Sequence, residues 1–120
     1  MKKDDNVRLK NMLDTAYKVI EFAEGYSRDS LNTNKMLTSA LIREIGVIGE
    51  AAARVSTDKR EQLTEIPWKS IVGMRNRLIH DYDEIDLDLL WETITKDVPE
   101  LIKKLEKNVN LSIAVCKRRH

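Results

Sequence analysis

The chain has 120 residues, of which 42% are hydrophobic and 34% charged, and its four glycines and two prolines suit long helices with short turns and exclude a turn-rich β fold. The formal net charge of +1 supplies no global field for nucleic acid, so any RNA contact has to be local, and the lone Cys116 forms no internal disulfide. No apolar run approaches a membrane span and the start MKKDDNVRLK lacks a signal-peptide centre, so a cytoplasmic protein without a membrane partner is expected. One all-α domain over residues 1–120 is expected, small enough that a second copy would help bury its apolar faces.

In chain order, Leu9, Leu13, Ala16, Ile20 and Ala23 recur in steps of four and three, which predicts a helix from about Asp5 to Tyr26 closed by Gly25 and Ser27. The polar connector SRDSLNTN offers Ser30, Asn32 or Thr33 as cap for a second helix from about Asn34 to Val55. That helix carries Leu37, Leu41, Ile45, Ile48, Ala52 and Val55 on one stripe. Ala40, Gly46, Gly49 and Ala51 to Ala53 make a small-residue face, and two helix glycines, each costing about 1 kcal/mol against alanine, indicate close packing. Glu50 and Arg54 have the spacing of an i,i+4 ion pair. STDKREQLTE then reads as a turn with short-helix character.

The third helix is expected to start at Pro67 and to run to His80, with Trp68, Ile71, Val72, Leu78 and Ile79 as its apolar positions. Arg75 interrupts that stripe. A guanidinium there needs an anion opposite, either a protein carboxylate such as Glu50 or a ligand phosphate. On a continuous helix His80 would lie roughly 140° round from Arg75 and share a face with Asn76 and Gly73.

DYDEIDLD follows as an acidic turn in which Asp86 is a good N-cap. A calcium-loop reading of Asp81, Asp83, Asp86 and Glu92 fails, because counted from Asp81 the sixth position is Asp86 where glycine is required. No metal or other cofactor is expected. A fourth helix from about Leu87 to Asn108 contains Pro99, so a kink or split is expected between Thr95 and Pro99. The tail 110–120 is a short apolar patch followed by Lys117, Arg118, Arg119 and His120.

The Arg75-Asn76, His80 and Tyr82 pattern resembles the Arg-x4-His-x-Tyr motif of HepT-type toxins, a branch of the HEPN superfamily once grouped as a domain of unknown function. The flanking segments IREIGVIGEAA, IPWKSIVGMRN and LDLLWETITKDVPEL resemble the same family, so the likeness spans most of Leu37 to Leu105. The resemblance implies a dimeric antiparallel bundle of four to five helices whose motifs line a shared cleft. It implies a metal-independent endoribonuclease, the toxin of a type VII-like toxin-antitoxin pair, silenced when an MntA-like minimal nucleotidyltransferase antitoxin transfers AMP to Tyr82.

Such chemistry suits the residues. RNA carries its own nucleophile, so cleavage needs proton transfer, for which His80 is fitted, and positive charge against the phosphate, for which Arg75 is fitted. Asn76 would position them, with Glu50 and Arg43 in support. The second acid or base is left to His80 of the other subunit, Tyr82 or water, and a 2′,3′-cyclic phosphate is the expected product. Two other readings stay open: a non-catalytic HEPN-like module that binds RNA or nucleotide or serves as the helical subunit of a nucleotidyltransferase, and a structural dimer in which Arg75 pairs with a carboxylate.

Overall fold

The computed structural model describes residues 2–79 and 84–109. Its helices are α1 (Lys2–Ala23), α2 (Ser30–Thr33), α3 (Lys35–Ala53), α4 (Thr57–Gln62), α5 (Trp68–Val72), α6 (Met74–Leu78), α7 (Leu87–Glu92) and α8 (Val98–Glu106). No strand occurs among the described residues, only an isolated antiparallel bridge between Ile79 and Ile85. The all-α expectation holds. The described residues divide into more segments than the expected four to five, because the third and fourth predicted helices are each interrupted and short helices, α2 and α4, form in the two connectors.

α1 and α3 form the centre. Leu9, Leu13, Ala16 and Ala23 of the predicted stripe are buried together with Met12 and Val19, and they meet Leu41, Ile45, Ile48 and Ala52 of α3 in one core; Ile20, expected on the same stripe, is instead 36% exposed. The pair is antiparallel, and its ends are tied: Asp5 in the first turn of α1 accepts bonds from the Ser56 hydroxyl (2.7 Å) and backbone N–H (2.9 Å) just beyond α3. Those two donors hold the Asp5 carboxyl below its ordinary value of 3.8. Gly25, at φ 85°, gives the left-handed turn that ends α1.

The cap of α3 is Asn34, whose side chain accepts from the Leu37 N–H at 3.0 Å, one residue beyond the expected Ser30, Asn32 or Thr33. Beyond α3, Ser56 caps α4 and Arg60 turns back to the end of α3. Its Nε donates to the Val55 carbonyl (3.1 Å) and its Nη2 to those of Ala52 and Ala53 (3.0 Å each), while its guanidinium lies 5.8 Å from the Trp68 ring centre. A cation thereby satisfies carbonyls that a helix end leaves open.

Asp86 caps α7 as expected, accepting from the Leu89 N–H at 3.0 Å. Pro99 offers no N–H to the Thr95 carbonyl, and the chain absorbs the break as a π turn over Thr93–Asp97 that links α7 to α8. Thr93 and Thr95 hydroxyls donate to the Leu89 and Trp91 carbonyls, 2.8 Å each, within the same stretch. Tyr17 of α1 donates to Glu106 of α8, fastening that helix to the core. No helix among the described residues is long and apolar enough to cross a membrane.

Candidate functional site

The site is built where α3 meets α5 and α6. Trp68, Ile71, Met74 and Leu78 are buried and anchor this segment, with the Trp68 indole N–H donating to the Leu63 carbonyl at 3.0 Å. Gly49 of α3 lies directly under the last turn of α5: a Cβ there would stand 3.2 Å from the Ile71 carbonyl oxygen and 3.3 Å from that of Val72. Gly46, about one turn earlier, accommodates a side chain instead, since its Cβ would be 2.8 Å from Arg75 Cδ. The small-residue face expected of this helix therefore has two uses: Gly49 admits a backbone, and Gly46 seats Arg75.

The third predicted helix does not run through to His80. It pauses at Gly73 (φ −92°, ψ 4°) and ends at Leu78, where Ile79 turns extended (φ −106°, ψ 110°). The helical rotation of 140° between Arg75 and His80 consequently does not apply. The chain then closes back on itself: Ile79 pairs with Ile85, and the Asp86 N–H donates to the Leu78 carbonyl at 2.8 Å. His80 and Tyr82, with Asp81 and Asp83, lie outside the described residues, as does the tail 110–120 with His120.

Over this junction opens a cleft of about 970 Å³. α3 contributes Ser39, Ile42, Arg43, Gly46, Val47, Gly49, Glu50 and Ala53; the opposite wall is Val72, Arg75, Asn76, Ile79 and Ile85. Four of the expected site residues, Arg43, Glu50, Arg75 and Asn76, are thus brought to one cleft. Arg75 is exposed there rather than sunk in an apolar stripe. The stripe divides around it: Ile71 and Leu78 enter the core, while Val72 is 39% exposed and Ile79 half-buried on the cleft wall.

Arg75 has no ion-pair partner among the described residues, so the expected pairing with Glu50 is not formed. Glu50 and Arg54 are likewise not bridged; both are exposed, and two solvated side chains gain little by holding one geometry. Arg43 bonds its neighbour Glu44 at 2.9 Å, which pairs that buried carboxylate. Arg77, close in sequence, is committed differently, donating to the Ser70 carbonyl at 3.0 Å and to its hydroxyl at 3.3 Å.

Ser39, Ile42 and Val47 line the cleft without having been expected there, and for Ser39 a signal existed. Ser39, Arg43, Gly46, Glu50 and Ala53 recur in steps of four, three, four and three, a polar and small stripe beside the apolar one. Two such stripes on one helix mark a core face and a cleft face.

Fold and site together define an all-helical domain with an open cleft that presents a guanidinium and an amide with no side-chain partner among the described residues. The model of the HepT-like ribonuclease family matches residues 12–108, and the chain belongs to that family. Among the relatives named "Putative RNase" are MJ1380 of Methanocaldococcus jannaschii, 41% identical with 88% of this chain and 96% of the relative covered, and TTE0752 of Caldanaerobacter subterraneus, 36% identical with 82% and 88% covered. "Probable ribonuclease HepT" of Thermococcus cleftensis is 34% identical, with 82% of this chain and 93% of the relative covered. No solved structure matches the chain significantly.

Proposed function

We propose that this protein is an endoribonuclease that cleaves RNA without a metal ion, using Arg75 and His80, and that a second copy of the chain completes its cleft. The observation that carries the reading is Arg75: exposed, seated over Gly46, and paired with no carboxylate among the described residues. An exposed arginine in an open cleft, without an ion-pair partner among the described residues, suits a phosphate, whose oxygens accept its forked donors. Ile79 and Ile85 both line the cleft, so the segment that contains His80 is joined to the cleft wall at each end.

In this scheme His80 takes the proton of the ribose 2′-hydroxyl. The 2′-oxygen attacks phosphorus, the bond to the 5′-oxygen breaks, and that oxygen takes a proton from His80 of the second copy, Tyr82 or water. Arg75 stabilises the charge that grows on the phosphoryl oxygens, and Asn76 orients the phosphate beside it. The products are a 2′,3′-cyclic phosphate and a 5′-hydroxyl. The family likeness further supports a toxin role, with an MntA-like nucleotidyltransferase as antitoxin. AMP on Tyr82 would add bulk and negative charge where the phosphate has to bind.

The test is incubation of wild type and His80→Ala with total RNA in excess chelator, with the RNA ends identified. Cyclic phosphate ends from wild type alone are expected. Cleavage that survives in the variant, or stops on chelation, would remove the mechanism; tight RNA binding without cleavage by wild type would favour a non-catalytic binding module instead.

A further inference from the structure

A second hollow, of about 350 Å³, lies between α1 and α3 and is edged by Arg8, Lys18 and Arg54. Val47 and Glu50 line both this hollow and the Arg75 cleft, so the two are opposite slopes of one ridge on α3. The three cations form no ion pair among the described residues; of the two carboxylates that line the hollow, Asp14 is bridged by Lys10 at 3.2 Å and Glu50 stands on the ridge. The slope away from the cleft therefore bears net positive charge, three cations against the unbridged carboxylate of Glu50, in a molecule whose net charge is only +1. A local excess of positive charge next to the cleft is the kind of patch that RNA binding by a near-neutral chain requires.

Resting on the ribonuclease reading, we propose that the RNA strand held at Arg75 continues over the α3 ridge and lays flanking phosphates on Arg8, Lys18 and Arg54. From Gly46, which seats Arg75, to Arg54 is eight residues of helix, about 12 Å, so the path extends the bound strand by a few nucleotides and no more. Glu50 stands on the ridge between the two slopes. A carboxylate there repels phosphate and accepts a hydrogen bond from a ribose hydroxyl, which sets the register of the strand and favours RNA over DNA.

The experiment compares wild type with the Arg8→Gln, Lys18→Gln, Arg54→Gln triple variant on two substrates, a dinucleotide and a single-stranded RNA of about twelve nucleotides. For the long RNA the variant should raise KM about tenfold with kcat retained, and its log affinity against log salt should be shallower by about 2, since each phosphate no longer neutralised removes about 0.7 from the slope. The effect should be confined to the long substrate. Unchanged KM and salt slope, or an equal loss on the dinucleotide, would overturn the strand path. Binding of the same long RNA, measured with the triple change placed in His80→Ala, separates the two claims: weaker binding there supports the path even if wild type cuts nothing, and unchanged binding rejects it even if wild type cuts.

Discussion

Arg60 and Arg75 meet the same helix, α3, at two points along its length, and the fold treats them in opposite ways. Around Arg60 every donor direction used is matched: three carbonyls at the end of α3 accept from it, and the Trp68 ring lies beneath it. Around Arg75 the helix supplies only space, in the form of Gly46. The guanidinium of Arg60 closes a helix end, and that of Arg75 is given room and has no ion-pair partner among the described residues.

The comparison breaks most visibly in function. Arg75→Ala should slow RNA cleavage by about 10²- to 10³-fold, the usual consequence of removing a donor aimed at developing charge. Its unfolding free energy should change by no more than about 0.5 kcal/mol, because the side chain is exposed and has no ion-pair partner among the described residues. Arg60→Ala should do the reverse, losing about 2 kcal/mol in denaturant unfolding as carbonyls are deprived of a charged donor, with cleavage per folded molecule retained. An Arg75→Ala protein that unfolds easily would return this residue to a structural role.

The two glycines give a sharper and smaller contrast. Gly49→Ala sets a methyl group against the Ile71 and Val72 carbonyls, backbone atoms that have to shift by a few tenths of an ångström, and should cost about 1 to 2 kcal/mol. Gly46→Ala meets only the flexible Arg75 side chain, so the gain in helix propensity of up to about 1 kcal/mol should survive. Cleavage should nevertheless fall about tenfold, because the guanidinium is displaced from its seat. Thermal unfolding and cleavage measured on both variants decide this; equal stability losses would remove the distinction between a backbone seat and a side-chain seat.

The smallest expected effect concerns Asp5. Its folded pKa lies below the ordinary 3.8, so its contribution to stability is complete above that value and is lost as pH falls through the lower folded value. Melting temperatures followed from about pH 6 to about pH 3 should drop less steeply in Asp5→Asn than in wild type. Parallel curves would mean that the Ser56 bonds do not carry the shift.

The long elements were legible because they repeat. α1 and α3 show the 3.6-residue period over five turns or so, and caps at Asp86 and Gly25 stand at recognisable positions. The cleft was legible only in part. Helices of five residues, α5 and α6, contain too few turns for periodicity to reveal the pause at Gly73 or the stop at Leu78. Counting apolar neighbours also cannot tell that Ile71 and Leu78 face the core while Val72 and Ile79 face the cleft, so the pattern puts Arg75 inside a stripe although the side chain stands at an opening. The Glu50 and Arg54 pairing had the right spacing but too small an energetic gain to fix two exposed side chains in one geometry.

The most direct measurement of whether Arg75 is kept for phosphate is thermal unfolding of wild type and Arg75→Ala, each with and without an RNA analogue whose 2′-oxygen is methylated. Without the analogue the two melting temperatures should coincide. With it at about 100 times its Kd, wild type should be stabilised by about 2.7 kcal/mol, and the variant at the same concentration by less than half of that. A variant that melts well below wild type without the analogue, or that gains as much as wild type with it, would contradict the account.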